Sequence, residues 1–290
     1  MSEIVLIGAA GTAGLRLVRA LNAARADYRV VSHSDIGAAR LVEAGAPRPV
    51  VADLGEPESL ASALTNTSVV YAIPPALHPR EDEFLINAIR AAEAVGVERF
   101  VYHSVLHSNT PFLRNHQRKA SVECVLRASS SLKWTILQPS MYAQVVFAMF
   151  GPTQDSTVRV PFDIDADMSI IDLDDWAAVA LRTLLEPGAH DYAGYELAGP
   201  ATTMREAVRA LGRARGRDLH ACTVPVARGP LPPRAVEDPV AAADMISTYA
   251  HYDRHGFRGN PFVLTQLLGR PPTTIDDVAA REYGPPLTAP

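Results

Sequence analysis

The chain has 290 residues, 48% of them hydrophobic and 20% charged, a globular composition that fits one large domain or a main domain with a smaller attachment. Its net charge of −5 argues against docking through a basic face on nucleic acid or on an anionic membrane. Two cysteines, Cys124 and Cys222, are too few for a disulfide framework or a cysteine-built metal site, and no apolar run reaches the ~18 residues of a membrane helix.

The first residues, MSEIVLIGAAG, lack the basic start of a signal peptide, so a cytoplasmic location is expected. Residues 3–7 predict a buried strand that stops at Gly8. Residues 15–24 predict a helix with Leu15, Val18, Leu21 and Asn22 on one face. Strand and helix then alternate: strands over 28–32, 49–52, 68–73, 99–103 and 134–137, helices over 36–44, 57–65, 80–95 and 115–128. Near-continuous apolar strands joined by helices predict an α/β fold, a doubly wound parallel sheet of the Rossmann type. Residues 1–150 are read as a dinucleotide-binding domain, with returning segments near 169–185 and 194–198. Residues 151–290 are read as a smaller, interleaved substrate-binding region. Ser169–Leu173 and Gly194–Ala198 are expected back in the main domain, with a helix over 174–185 stopped by Pro187. Eleven of the 23 prolines fall in residues 221–290, which predicts loops and short helices there.

Gly8-Ala9-Ala10-Gly11-Thr12-Ala13-Gly14 follows a strand and opens a helix, the context that makes a glycine pattern informative. Gly8 permits the tight turn, Gly11 a close approach of a pyrophosphate, and Gly14 close helix–strand packing. The N–H groups around Thr12 and Ala13 face the phosphates. At the second strand's tip, His33 and Ser34 stand where a carboxylate would select NAD. Asp35 falls just beyond, so NADP is favoured and NAD is the alternative. Asp53, followed by Leu54, ends the third strand beside the expected adenine. Ala72, Ile73 and Pro74 end the fourth, where they would line the middle of the cofactor. Of 27 basic residues only Lys119 and Lys133 are lysine, which singles out positions that keep a compact ammonium. His251 and His255 have zinc-ligand spacing but lack the accompanying Glu and a third ligand, so no metal is expected.

The glycine turn, AxDL at 52–54, VYHS at 101–104, NHxxK at 115–119, WTILQPSMY at 134–142, YELAGP at 195–200 and LLGRPPT at 267–273 together resemble the atypical short-chain dehydrogenases/reductases, and more narrowly the NmrA-like family. That resemblance implies an NAD(P)-binding fold over essentially the whole chain. It places the family's fifth-strand serine on Ser104 and its nicotinamide-ribose lysine on Lys119, and both are expected to touch cofactor. It also implies a proton-donating tyrosine four residues before that lysine, where this chain has Asn115, which cannot act as a phenolic acid. His116, Tyr142 and His107 are the candidate replacements. Pro139 at the sixth strand's tip is expected to touch cofactor, and His107, Met141 and Tyr142 to touch substrate. The apolar stretch from Met141 through Val145, Val146, Phe147 and Met149 to Phe150 reads as a substrate pocket or a dimer face.

Two functions are therefore in view. One is an atypical oxidoreductase passing hydride from NAD(P)H to a small or medium quinone, imine or carbonyl. The other is a non-catalytic NAD(P)-sensing regulator acting on a protein partner. The expected partner is a small molecule, with a homodimer or a regulatory protein as further candidates, and neither nucleic acid nor membrane.

Overall fold

A computed structural model describes residues 3–149, 156–186 and 188–284. In chain order the first half holds β1 (Ile4–Ile7), α1 (Thr12–Ala23), β2 (Tyr28–Ser32), α2 (Asp35–Glu43), β3 (Pro49–Val51), α3 (Pro57–Ala63), β4 (Val69–Ala72), α4 (Glu81–Ala94), β5 (Arg99–His103), α5 (Arg114–Arg127) and β6 (Lys133–Pro139). There follow β7 (Met141–Tyr142), α6 (Ala143–Met149), β8 (Thr157–Val160), β9 (Met168–Ile171), α7 (Leu173–Leu185), β10 (Ala193–Leu197), β11 (Ala201–Thr202), α8 (Met204–Arg215), β12 (His220–Thr223), α9 (Pro233–Glu237), α10 (Pro239–His255), α11 (Phe262–Leu268) and α12 (Ile275–Tyr283).

The chain divides into two units. One takes the residues up to Gln138 together with Trp176–Tyr195; the other takes Pro139–Asp175 and Glu196 onward. The first is built on a seven-stranded sheet of order β10-β6-β5-β4-β1-β2-β3. Pairings from β3 through to β6 are all parallel. β1 and β4 are fully buried along their length, which is why they read as unbroken apolar runs rather than alternations. The order reverses beside β1, between β4 and β2. In an open α/β sheet such a switch point opens a crevice at the carboxyl ends of the strands, which is where a ligand binds. On one face Val5, Ile7, Val70, Phe100 and Ile136 pack against Leu85, Ala88 and Ile89 of α4 and Val122 and Leu126 of α5.

The second unit carries a three-stranded sheet, β11-β9-β7, and the parallel pair β12-β8. Gly194–Ala198 joins the main sheet as β10, but the Ser169–Leu173 segment does not. It forms β9, pairing antiparallel with Ala201–Thr202 and parallel with Met141–Tyr142. A four-residue apolar run carries no information about its partner; the neighbouring strands decide it. The proline-rich end holds more helix than expected, including the 17-residue α10. Pro233 and Pro239 sit in first turns, where the missing N–H costs nothing, so they mark helix starts rather than loops. Asp238 caps α10 by accepting from the N–H groups of Val240 and Ala241. Phe150 and Pro187 lie outside the described residues. No described helix is long and apolar enough to cross a membrane.

Candidate functional site

The three glycines of the first turn have different reasons to be glycine. Gly8 has φ +79°, and a Cβ there would stand 2.3 Å from the Ile73 carbonyl oxygen at the tip of β4. A Cβ on Gly14 would stand 2.5 Å from the carbonyl oxygen of Ala9, so α1 seats directly on its own turn. α1 starts at Thr12 rather than Leu15. Gly11 is exposed, and a Cβ there would meet nothing nearer than 3.8 Å. Protein packing therefore explains two glycines, while Gly11 stays open to solvent. Gly11 is also the N-cap of α1, without a side-chain cap and with no acid in the first turn. The first N–H groups of this 12-residue helix, around exposed Thr12 and half-buried Ala13, thus present an unneutralised positive end. An open backbone cradle at a helix N-terminus fits the pyrophosphate of a dinucleotide.

At the next tip Ser32 is buried and donates its hydroxyl to the Ser34 carbonyl at 2.9 Å. Ser34 is the N-cap of α2, its Oγ accepting from the Gly37 N–H at 3.2 Å. His33 between them is exposed. Asp53 does not cap α3, whose N-cap is Glu56. It is exposed, one carboxylate oxygen accepts from the Gly55 N–H at 2.8 Å, and its own N–H bonds Ser59 Oγ at 3.1 Å. The Leu54 carbonyl accepts from Asn87 at 3.2 Å. Ala72 and Pro74 are buried, and Ile73 is half-buried against Gly8.

Sequence reasoning missed the stack beside this loop. The Arg80 guanidinium lies 5.1 Å over the Phe84 ring, whose other neighbour is His78 at 4.8 Å. A Cβ on Gly55 would come 3.8 Å from Arg80. The i, i+4 spacing of Arg80 and Phe84 was the available signal.

The β5–α5 region is charged and closed. Ser104 is 2% exposed and donates to Glu123 Oε1 at 2.5 Å. Gln138 Nε2 donates to the same oxygen at 2.8 Å and to Ser108 Oγ at 3.3 Å. The Lys119 ammonium donates to Glu81 Oε1 at 2.7 Å and to the Asn115 carbonyl at 3.4 Å. Glu81 and Glu123 were not singled out from sequence. Glu123 follows Lys119 by one helical turn, which was a legible signal; Glu81 is 38 positions away and was not. Asn115 is half-buried, and its side-chain oxygen has no partner among the described residues. His116 is buried, and its Nδ1 donates to the His107 carbonyl at 3.2 Å, tying down the loop before α5. Half-buried His107 stands in that loop at φ 54°.

Pro139 is buried, and Met141 and Tyr142 are half-buried, in the second unit. There Ala143, Val146 and Phe147 are buried, Phe147 edge-on to Tyr283 at 5.5 Å. Cys124 is exposed on α5. His251 and His255 face each other with ring centroids 4.8 Å apart. Among the described residues no group of three or more ligating side chains could hold a metal.

Across β5, His103 is buried with Tyr71, whose hydroxyl is 3.4 Å from its Nδ1, and with Trp176, whose ring centroid is 4.9 Å away. Burial, and then the charge of Lys119, pull the His103 pKa down to about 3, so the ring is neutral at physiological pH. Burial also pushes the Tyr102 phenol well above its ordinary range, helped by Glu81 and Glu123.

Residues 1–263 match the model of the NmrA-like family. The NAD(P)H azoreductase of Xenophilus azovorans is 27% identical over 286 residues, 95% of this chain and 96% of that protein. A crystal structure of an NADPH-dependent quinone oxidoreductase from Escherichia coli, complexed with NADPH, shares the fold with a TM-score of 0.80 at 24% identity, over 97% of this chain and 100% of that one. The negative transcriptional regulator NmrA in complex with NAD shares it at 0.78 and 15% identity, over 97% and 95% of the two chains. The relatives that match by sequence include NAD(P)H-dependent oxidoreductases, and the regulator shares the fold. With its reversed-order parallel sheet and open glycine turn, this chain belongs to the NmrA-like family of NAD(P)-binding proteins.

Proposed function

We propose that this protein is an NADPH-dependent reductase of a small or medium conjugated acceptor: a quinone, an imine, an azo compound or an activated carbonyl. The observation that carries the reading is Gly11, exposed at a helix N-terminus without a side-chain cap, with open space where a side chain would stand. Bound NADPH would supply a hydride. The N–H groups of Thr12 and Ala13 would hold the pyrophosphate, and Asp53 would accept from the adenine amino group. His33 and Ser34, neutral or basic rather than acidic, suit a 2′-phosphate. Lys119 would donate to the nicotinamide ribose. Position 115 offers an amide, with no proton to give, and His116 already spends its Nδ1 hydrogen on a backbone carbonyl. This machinery suits acceptors whose reduced form takes its proton from solvent, which is why a quinone or activated imine is preferred to a plain ketone.

The same amide supports a second reading, a dinucleotide sensor without turnover. An acceptor panel of quinone, azo dye, cyclic imine and aldehyde, followed by loss of NADPH absorbance, separates the two. Reduction of any of them, largely abolished in Lys119→Met, supports the enzyme. Tight NADPH binding with no oxidation across the panel supports the sensor.

A further inference from the structure

We infer that Glu81 is the positioning residue for Lys119, holding its ammonium so that one N–H stays directed to the nicotinamide half of the cofactor. The inference rests on reading the chain as an NAD(P)H-binding protein. Glu81 opens α4, pinned by its backbone N–H on the His78 carbonyl at 3.0 Å. Its side chain is 1% exposed and that of Lys119 is 14% exposed, so the 2.7 Å pair is shielded from water. An ammonium has three donors. Glu81 and the Asn115 carbonyl take two, which leaves one for an outside acceptor.

Stability alone is a poor reason for this pair. A buried ion pair returns little over an apolar packing of the same volume. Here one carboxylate oxygen of Glu81 is buried with no hydrogen-bond partner among the described residues, as is the Tyr102 hydroxyl, and both are net costs. Around them α4 and α5 bury Leu85, Ala88, Val122 and Leu126, so an apolar contact between the two helices was available. What the pair supplies is direction. A lysine on a flexible four-carbon stem has many rotamers, and a fixed carboxylate selects one of them. Arg118, whose Nε is 3.6 Å from the same Glu81 oxygen, adds a second cation beside that carboxylate.

The test compares two ligands, NADPH and 2′,5′-ADP, which keeps the adenosine half and lacks the nicotinamide ribose. Affinities are measured by calorimetry for the wild type, Glu81→Gln, Glu81→Asp, Lys119→Met and the Glu81→Gln/Lys119→Met double variant. Loss of one charged hydrogen bond predicts NADPH affinity about tenfold weaker in Glu81→Gln, with 2′,5′-ADP within about twofold of wild type. The double variant should be no weaker than Lys119→Met, and Glu81→Asp should recover part of the loss. A mere tie between α4 and α5 would weaken both ligands together or neither, and either result overturns the inference. Wild-type protein that binds neither ligand overturns the NAD(P)H reading itself. Unchanged 2′,5′-ADP affinity also shows that each variant is folded.

Discussion

The glycine edge and the lysine edge of the same sheet are built on opposite plans. At the β1–α1 turn the site is made of backbone. Gly8 and Gly14 close the turn on Ile73 and Ala9, and Gly11 stays open under an uncapped helix end. At the β5–α5 side the site is made of side chains that have already found partners: Lys119 with Glu81, Ser104 with Glu123, His116 with the His107 carbonyl. The first edge offers open backbone N–H groups to a ligand. The second is closed by buried hydrogen bonds and an ion pair among its own side chains. Asn115, where the family resemblance implies a proton-donating tyrosine, belongs to this second edge.

The contrast can be broken in several places. The largest effect is expected for Gly8→Ala, where positive φ and a 2.3 Å approach to a fixed carbonyl combine. About 4 kcal/mol should be lost in urea unfolding. Next comes acid. His103 is neutral in the fold, with its pKa near 3, while the unfolded chain takes up a proton below about 6.5. The unfolded state therefore binds more protons between these values. The stability from this group is whole above pH 6.5 and declines as pH falls towards 3, by on the order of 3 kcal/mol at pH 4. His103→Gln should flatten that limb; a limb of unchanged depth would show that His103 is not its source.

Gly11→Ala should reverse the Gly8 result. Stability changes by less than about 0.5 kcal/mol, since nothing lies within 3.8 Å, while NADPH affinity falls about tenfold as the methyl meets the pyrophosphate. Ser104→Ala sharpens the other edge. It removes one donor from Glu123, which keeps Gln138, so about 1 kcal/mol of stability should go with no change in NADPH affinity. A large loss of affinity would instead place Ser104 against the cofactor. The smallest effect is expected at exposed His33. His33→Asp should move preference a few-fold from NADPH towards NADH, read from the two dissociation constants.

What could be read from sequence follows the same division. The glycine edge is contiguous: strand, turn and helix lie within residues 4–23, so spacing alone carries it. The parallel sheet was legible because β1, β4 and β5 are buried on both faces and read as apolar runs. The lysine edge was not, because Glu81 and Lys119 meet only once α4 and α5 pack side by side. Ser34 was read as a ribose contact but also caps α2, and Gly37 is glycine because a Cβ would strike Ser32 Oγ at 2.4 Å. In the second unit β9 went astray for a related reason: its partners are two-residue strands that no periodicity announces.

The central claim is that the open turn at Gly11 is a dinucleotide site, and calorimetric titration of the purified protein with NADPH and with NADH tests it most directly. Saturable binding of NADPH with one site per chain, tighter than NADH, is expected, with no heat in Gly11→Trp, whose indole would fill the cradle. Wild-type protein that gives no binding heat with either cofactor would contradict it.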